Sequence, residues 1–316
     1  MKAKQYLNKL RKLPAKACLR ALHKMEVRPS GNHEMCPPII FIIGPPRSGS
    51  TLLFQALTHC YDFGYISNRM APYCPALSYA ERFRRHILNP PARTRAHFQS
   101  IHGRTADPDG PHECGEYWYQ FFPRKPQYIP KERVEQCKIV DLQRSLARVC
   151  SVFPQPFLFK NMNCALRLNV LVDALPNAVF LITRRSLIDT AHSLLETRLK
   201  VNGNYQDWWS MQPEDYEHLL GLTPEHQVVR QISSIYHEIE KHQKRYPHRF
   251  LDFRYEQFCE DPCDALKKLE IQLSQNGFKL NPYKNWELPE RFERRNEVRI
   301  DKDLYGRLSK LCNVKS

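Results

Sequence analysis

The sequence predicts an α/β fold in which helices flank a parallel β-sheet. Short apolar runs near residues 40, 158, 180 and 251 are each followed by a helical pattern, as in sheets built from strand–helix units. The first run leads into a glycine-bounded turn with the spacing of a phosphate loop. At 316 residues, the chain is long enough to bury the core of one large domain of this kind. Such sheets bind ligands at the carboxyl ends of their strands, so the residues after each strand are the candidates for a site.

The first predicted strand, 39–43, opens the candidate phosphate loop. Gly44 and Gly49 bound the loop, and a helix is predicted from Ser50 onward. Backbone N–H groups in such a loop surround an anion, and the positive end of the helix dipole points at it. Nucleotide triphosphatases carry a lysine directly after the second glycine, whereas this chain has Ser50 there and Arg47 as the nearest cation. These residues favour a phosphosulfate over the γ-phosphate of ATP, and an ordinary loop is the alternative.

The second predicted strand, 157–161, includes a single cation near its end. It is a short apolar run that closes on Lys160 and Asn161, and a helical pattern over 165–171 follows. The next two residues are Met162 and Asn163, so no histidine follows the lysine. The strand therefore places one lysine at the edge of the sheet where a ligand is expected.

The third predicted strand, 179–183, ends in two arginines. Arg185 closes this pair, a helix is predicted from Leu187, and Ser193 lies eight residues beyond the arginine. An arginine at a strand end and a hydroxyl group two turns into the next helix can converge on one phosphate. A basic strand end that leads into an amphipathic helix is the alternative interpretation.

The fourth predicted strand begins at Phe250 and runs toward Tyr255. A basic helix is predicted before it, over 235–245, and a helix over 265–273 follows an Asp-Pro pair. The strand–helix order of the first three elements therefore continues to about residue 275.

The segment from Arg47 to Thr51 resembles the 5′-phosphosulfate loop of sulfotransferases that use 3′-phosphoadenosine 5′-phosphosulfate (PAPS). The version in this chain is most similar to that of tyrosylprotein and carbohydrate sulfotransferases, since cytosolic phenol and steroid sulfotransferases usually have lysine at the Arg47 position. The spacing of Arg185 and Ser193 resembles the arginine–serine pair that holds the 3′-phosphate in this family. The resemblance covers roughly residues 37–275 in the right order. It implies a P-loop-containing nucleotide-hydrolase-like sulfotransferase fold, with PAPS as co-substrate and no metal.

The resemblance also implies a role for each matching residue. Arg47 and Lys160 would stabilise the moving sulfuryl group during an in-line displacement that releases 3′,5′-ADP (PAP). The usual Arg-Asp-Pro sequence is absent, because Ser186 and Leu187 follow Arg185. The residues implied to bind the nucleotide are Arg47, Ser48, Gly49, Ser50, Thr51, Arg185, Ser193 and Tyr255.

The general base is not given by the resemblance. Tyrosylprotein sulfotransferases have a glutamate after the first helix, but the matching stretch here, 64–69, contains no carboxylate. The segment 111–118 is rich in titratable and aromatic residues and supplies three candidates: Glu116 first, then Glu113, then His112. The alternative is that this segment is a helix start whose capping carboxylate covers buried aromatic residues.

Cysteine usage and hydropathy predict a cytoplasmic protein. The 11 cysteines form no Cys-x-x-Cys pair, and scattered thiols indicate a reducing compartment. Cys259 and Cys263 lack a second ligand pair, so no metal site is expected. No apolar run is long enough to span a membrane and no signal peptide is recognised.

Positive charge is concentrated at the N-terminus. The net charge is +15, and residues 1–28 carry nine lysines and arginines and one glutamate. We divide the chain into a basic N-terminal helical segment, 1–36, and a sulfotransferase domain, 37–316. The basic helix would either contact anionic lipid or pack one apolar stripe on the core, and the second interpretation is slightly favoured. No nucleic-acid-binding signature is present, and no nucleic-acid partner is expected.

Two further segments are candidate lids. The polar-aromatic loop 202–211 either contacts the acceptor or covers the site, and the basic tail over 294–302 could close over the nucleotide. The sequence thus predicts sulfuryl transfer to a hydroxyl acceptor, with a carbohydrate or glycolipid preferred to a small phenol. One rival is a P-loop kinase, which is disfavoured by Ser50 and by the lack of an evident Mg²⁺-binding aspartate. Another is a non-catalytic nucleotide-binding or membrane-surface protein.

Overall fold

The computed structural model describes residues 18–28, 38–87, 96–100, 103, 105–136, 138–153, 155–284, 286–294 and 297–313. The predicted N-terminal segment 1–36 is therefore described only over 18–28. Arg295 of the predicted basic tail also lies outside the described residues.

Parallel strands form one sheet in the order β2-β1-β3-β4. The strands are β1 (Ile39–Ile43), β2 (Phe157–Lys160), β3 (Val179–Arg184) and β4 (Phe250–Arg254). Ile42 pairs with Lys160 and Arg184 pairs with Arg254, so all four carboxyl ends lie along one edge. The α/β fold with a parallel sheet and flanking helices is confirmed, because each apolar run became a strand at its predicted place.

Helices connect the strands and cover both faces of the sheet. They are α1 (Ser50–Cys60), α2 (Leu77–Ile87), α3 (Gly115–Trp118), α4 (Ile139–Ser151), α5 (Leu168–Ala174), α6 (Leu187–Asn202), α7 (Tyr216–Leu219), α8 (Pro224–Arg245), α9 (Tyr255–Glu260), α10 (Pro262–Gln275) and α11 (Lys302–Asn313). Shorter 3₁₀ helices cover Ala71–Ala76, Lys131–Gln136, Met162–Arg167 and Pro247–Arg249.

Two predicted helices differ from the observed ones. The pattern over 165–171 is split into a 3₁₀ helix, Met162–Arg167, and α5, because the Asn161 side chain accepts a hydrogen bond from the Asn163 backbone N–H (3.1 Å) and starts a tight turn early. The basic helix before β4 begins at Pro224 instead of 235. Proline is favoured in the first turn of a helix, where its missing N–H costs nothing.

Aromatic stacking holds one face of the sheet together. Phe41 of β1 stacks on Phe159 of β2 (5.6 Å between ring centroids) and on Phe180 of β3 (5.3 Å), and Phe180 stacks on Phe250 of β4 (4.8 Å). These rings meet because the parallel register pairs the same residues. Trp118, at the end of α3, packs on Phe41 and Phe159. The segment just before α3 is therefore fixed close to the end of β2.

Residues 18–26 form a helix that packs on the domain. Glu26 is 1% exposed, and its carboxylate accepts hydrogen bonds from the Ser78 backbone N–H (3.1 Å) and hydroxyl (2.6 Å). Burial raises the pKa of Glu26 above its usual range. Within 18–28 the helix is thus attached to the domain through a buried carboxylate, and the apolar stripe of the packing interpretation lies outside the described residues. Among the described helices, none combines the length and apolar character needed to cross a bilayer.

Candidate active site

The loop between β1 and α1 is so tight that its glycines cannot be replaced freely. Gly44 and Gly49 adopt φ values of 147° and 92°. A methyl group on Gly44 would lie 2.5 Å from Thr183 Oγ1, and one on Gly49 would lie 2.2 Å from the Tyr255 ring. Arg47 has φ of 70°, a conformation that costs a non-glycine residue about 1 kcal/mol and is found at functional sites. The loop is a close-fitting cradle at the N-terminus of α1.

The three hydroxyl groups of the loop differ in their surroundings. Ser48 is fully buried, and its hydroxyl donates to a loop carbonyl at 2.7 Å and lies 2.6 Å from Thr183 Oγ1. The Ser48 side chain therefore fastens the loop to β3, and only its backbone remains for a ligand. The Ser50 hydroxyl donates to Met162 Sδ at 3.3 Å, and Ser50 and Thr51 line the cavity that opens at the loop.

Lys160 lies at the carboxyl end of β2 and reaches across to the loop. Its side chain is 3% exposed, and Nζ donates to Thr51 Oγ1 at 3.0 Å and forms an ion pair with the Glu113 carboxylate. The backbone carbonyl of Glu113 accepts a hydrogen bond from Asn161 Nδ2 at 3.3 Å. An ammonium group has three N–H donors, so these two contacts leave the third for a ligand.

Arg47, Ser193 and Arg185 form the other side of the cradle. Arg47 Nε donates to Ser193 Oγ at 3.0 Å, and Arg185 Nη1 donates to the Arg47 carbonyl at 2.9 Å. The Arg185 guanidinium lies 4.7 Å above the Tyr255 ring, and burial raises the pKa of Tyr255 to about 12. Arg185 Nε is buried and has no hydrogen-bond partner in the described part of the chain. A buried N–H of a cation without an acceptor suits an anion, because leaving it unpaired is costly.

A cavity of about 880 Å³ joins these groups. Of the predicted site residues, those that line it are Arg47, Gly49, Ser50, Thr51, Lys160, Arg185, Ser193 and Tyr255. The arrangement supplies a backbone cradle with cations on two sides, which can bind an extended polyanion and stabilise negative charge as it develops.

Glu116, the first choice for the base, does not line the cavity. Its side chain is 62% exposed and forms an ion pair with Arg124. The reason is local: Cys114 adopts a left-handed conformation (φ 45°) and α3 begins at Gly115, so the residues on either side of this turn point to different places. Glu113 faces the cavity and Lys160, and it replaces Glu116 as the candidate base.

His112 also lines the cavity, but its hydrogen bond limits it. Nδ1 accepts from the Cys114 backbone N–H at 2.8 Å. A backbone N–H can only donate, so the neutral ring carries its proton on Nε2. Nε2 already carries a proton, and the lone pair of Nδ1 is occupied by this hydrogen bond. His112 is therefore a weaker candidate for the base than Glu113.

Part of the cavity lining is formed by uncharged side chains that lie outside the phosphate loop. We define the acceptor-side wall as Gln127, Asn163, Trp209, Ser210 and Met211, all of which line the cavity. The last three belong to the predicted polar-aromatic loop 202–211. This loop contacts the cavity only through its C-terminal part.

His192 and Glu196 of α6 line the cavity and were not found by sequence reasoning, whereas Arg299 belongs to the predicted basic tail. Arg299 also lines the cavity, and its backbone N–H donates to His192 Nε2 at 3.1 Å. Burial lowers the pKa of His192. Glu196 lies one helical turn beyond Ser193 and receives a hydrogen bond from Lys200 at 2.5 Å. The spacing of Ser193 and Glu196 places both on one face of α6, and this was the signal that could have found Glu196.

The described residues hold no group of three or more His, Cys, Asp or Glu side chains that could bind a metal ion. Cys259 and Cys263 are free thiols. Metal-independent chemistry stays a prediction.

A parallel sheet with a glycine-bounded cradle at its carboxyl edge, flanked by cations, defines the phosphate-loop class of α/β proteins. The family model described as the sulfotransferase family matches residues 38–274, about three quarters of the sequence, and the protein belongs to this family.

Several solved sulfotransferase structures are similar to this chain. STF9 from Mycobacterium avium is 16% identical, with a TM-score of 0.46, over 76% of this chain and 64% of that one. A sulfotransferase from Alicyclobacillus acidocaldarius is 14% identical, with a TM-score of 0.43, over 88% of this chain and 92% of that one. The chain thus spans less than two thirds of the STF9 structure. No curated protein matched the sequence with significant similarity.

Proposed function

We propose that the protein transfers the sulfuryl group of PAPS to a hydroxyl group of an acceptor and releases PAP. The observation that carries this proposal is the convergence of Arg47, Lys160, Arg185 and Ser193 on one cradle, although they come from three different strand–helix units. The unpaired Arg185 Nε within this cluster supports an anionic ligand at that place.

The residues present fit a nucleotide with phosphate groups at the 3′ and 5′ positions of its ribose. The backbone N–H groups of residues 48–51, with the Ser50 and Thr51 hydroxyls, would hold the 5′-phosphate at the N-terminus of α1. Arg185 and Ser193 would hold the 3′-phosphate. Tyr255 closes the cradle against Gly49, where a methyl group would find no room.

PAPS supplies a sulfuryl group on a good leaving group, the 5′-phosphate of PAP. In the reaction, the acceptor oxygen forms a bond to sulfur while the bond from sulfur to the 5′-phosphate oxygen breaks, and the hydroxyl proton leaves. Glu113 accepts this proton, since its carboxylate lies in the cavity beside Lys160. Lys160 and Arg47 stabilise the charge that develops on the sulfuryl and leaving oxygens.

We propose a carbohydrate or glycolipid as the acceptor. The amide groups of Gln127 and Asn163 in the acceptor-side wall can each donate and accept, as a hydroxyl group can, and Trp209 adds an amphipathic aromatic side chain. We also propose that this chain belongs with the tyrosylprotein and carbohydrate sulfotransferases within the family. Arg47 in the loop and the lack of a histidine after Lys160 support it.

The cytoplasm is the proposed location, and peripheral contact of residues 1–28 with anionic membrane is the alternative to the packing of this segment on the domain. Buried free thiols such as Cys60 and Cys164 support a reducing compartment, and the basic N-terminal residues support the membrane contact. Fractionation of cells that produce the full chain and the chain without residues 1–17 tests both parts.

The proposal is tested by transfer from ³⁵S-labelled PAPS to octyl β-galactoside, p-nitrophenol and an acidic tyrosine peptide. We expect label in the galactoside together with an equal amount of PAP, and we expect both products to form about 10²–10³-fold more slowly with Lys160→Ala. Label found only in the phenol or the peptide would support sulfuryl transfer but contradict a carbohydrate or glycolipid acceptor. The absence of transfer to any of the three, with PAPS recovered intact, would contradict the proposed function.

A further inference from the structure

A fully buried arginine that the proposed chemistry does not use lies behind the acceptor-side wall. Arg198 of α6 is 0% exposed, and burial lowers its pKa to about 10. Nη1 donates to Gln227 Oε1 at 2.6 Å and to the Tyr205 carbonyl at 3.3 Å, and Nη2 donates to Gln231 Oε1 at 3.3 Å. The guanidinium also lies 5.0 Å above the Trp208 ring.

None of these described hydrogen-bond partners of Arg198 is a carboxylate. Burying a cation without a counter-ion is costly, and an apolar side chain in this position would avoid that cost. The guanidinium is planar and presents five donors in fixed directions, so it can orient several neutral acceptors at once. This geometry points to a positioning role.

The side-chain amide of Gln231 connects Arg198 to the backbone of the cavity wall. Gln231 is fully buried, and Nε2 donates to the carbonyl of Trp209 at 3.1 Å and to that of Met211 at 2.7 Å. Trp208 Nε1 donates to the same Met211 carbonyl at 3.0 Å. Ser210, between the two fixed carbonyls, adopts φ of 74°. The backbone of 208–211 is therefore held in a conformation that it would not adopt readily without these contacts.

The residue that follows this loop contacts another member of the wall, Gln127. The Gln212 backbone N–H donates to Gln127 Oε1 at 2.9 Å. Since Gln127, Trp209 and Met211 all line the cavity, one chain of contacts runs from Arg198 to these three members of the acceptor-side wall.

We propose that Arg198 is a positioning residue which, through Gln231, sets the shape of an acceptor subsite for an uncharged, hydroxyl-bearing group. That this subsite binds the acceptor rests on the proposed sulfuryl transfer. The positioning by Arg198 rests on the observed contacts alone. Arg198 itself does not line the cavity, and it acts through residues 208–212.

The test compares hydrogen exchange of residues 205–212 in three variants. Gln231→Glu keeps the size of the side chain and gives Arg198 a carboxylate, but it removes both N–H donors to the wall carbonyls. Arg198→Met removes the guanidinium. Arg249→Met is the matched control, because Arg249 is a buried arginine that donates to the carbonyls of Ala178, Val172 and Leu175 at the opposite end of the sheet.

We expect exchange in 205–212 to rise about tenfold or more in Gln231→Glu and Arg198→Met, since several buried hydrogen bonds are lost there. In Arg249→Met this segment should exchange as in the wild type, even if the melting temperature falls. In an acceptor assay with octyl β-galactoside, KM should rise at least fivefold in Gln231→Glu, while the affinity for PAP stays within about twofold.

Unchanged exchange in 205–212 of Gln231→Glu overturns the proposal, and this variant decides the matter if Arg198→Met does not fold. Loss of PAP affinity parallel to the rise in exchange also overturns it, because the network would then support the whole site. A wild-type protein that binds no PAP contradicts the proposed function instead, and the exchange result still decides whether Arg198 holds the wall.

Discussion

Arg47 Nε donates a 3.0 Å hydrogen bond to Ser193 Oγ, joining the phosphate loop to the second turn of α6 across 146 positions of sequence. Arg185 Nη1 also donates a hydrogen bond to the backbone carbonyl of Arg47, at 2.9 Å. The residues implied to bind the 5′-phosphosulfate and those implied to bind the 3′-phosphate are thus in direct contact. Their positions depend on each other, and substitutions in one group are expected to affect the other.

Ser193→Ala removes the hydroxyl that Arg47 contacts and that we assign to the 3′-phosphate. We expect the affinity for PAP to fall about tenfold or more, since a hydrogen bond to a charged group contributes about 1.5–3 kcal/mol. Calorimetric titration measures the change. Ser234→Ala is the control, because that hydroxyl donates to Asp215 outside the cavity. Equal affinity in the two variants would remove Ser193 from the nucleotide site.

Lys160→Ala removes the cation at the end of β2. We expect turnover to fall by roughly 10²–10³-fold, the usual effect of losing one group that stabilises transition-state charge. The affinity for PAP should change only a few-fold, because PAP lacks the sulfuryl group. Lys268→Ala serves as the control, since that lysine is 73% exposed and pairs with Asp264 on α10. Turnover equal to the wild type in Lys160→Ala would reject its catalytic role.

The strands, the glycine-bounded loop and the strand–helix unit that carries Arg185 and Ser193 were predictable because their signals are local. Ile39–Ile43 is an unbroken apolar run, and the spacing of Arg185 and Ser193 is read directly from one strand–helix unit. Which of the two candidate carboxylates lines the cavity was not predictable in the same way. Whether Glu113 or Glu116 faces the cavity depends on the left-handed backbone of Cys114, and on Lys160, which is 47 residues away from Glu113. No local pattern contains that information.

Glu113→Gln and Glu116→Gln form a matched pair that separates the two candidate bases. We expect kcat to fall by about 10²–10⁴-fold in Glu113→Gln, the range for loss of a general base. In Glu116→Gln it should stay near the wild-type value, because that side chain is 62% exposed and pairs with Arg124. Rates under saturating PAPS give the comparison. The reverse order would restore Glu116 as the base and require the loop to rearrange on binding.

Gly49→Ala tests the fit between the phosphate loop and Tyr255. Gly277→Ala is the control, since Gly277 also has positive φ (82°) but has open space where a methyl group would go. Both variants should lose about 1 kcal/mol of stability from the left-handed backbone. Gly49→Ala should lose more, and should also lose PAP binding, because its methyl group would overlap the Tyr255 ring. Similar thermal unfolding and intact PAP binding in both would show that the loop is not close-fitting.

The acceptor-side wall shows a second limit of sequence reasoning. The aromatic loop 202–211 was recognisable from its composition, but its contact with the cavity comes only from residues 209–211. The backbone of these three residues is held at the cavity by the buried contact between Arg198 and Gln231, which lie on two different helices. An arginine and a glutamine in helical sequence carry no signal of burial, so this network appeared only in three dimensions.

Calorimetric titration with PAP, ATP·Mg²⁺ and AMP distinguishes a PAPS-dependent enzyme from a kinase. We expect PAP to bind with a dissociation constant on the order of micromolar, far more tightly than AMP or ATP·Mg²⁺, and we expect Arg185→Ala to abolish this preference. Tighter binding of ATP·Mg²⁺ would contradict PAPS dependence and favour a kinase, and binding of none of the three would mean that the glycine-bounded loop is structural.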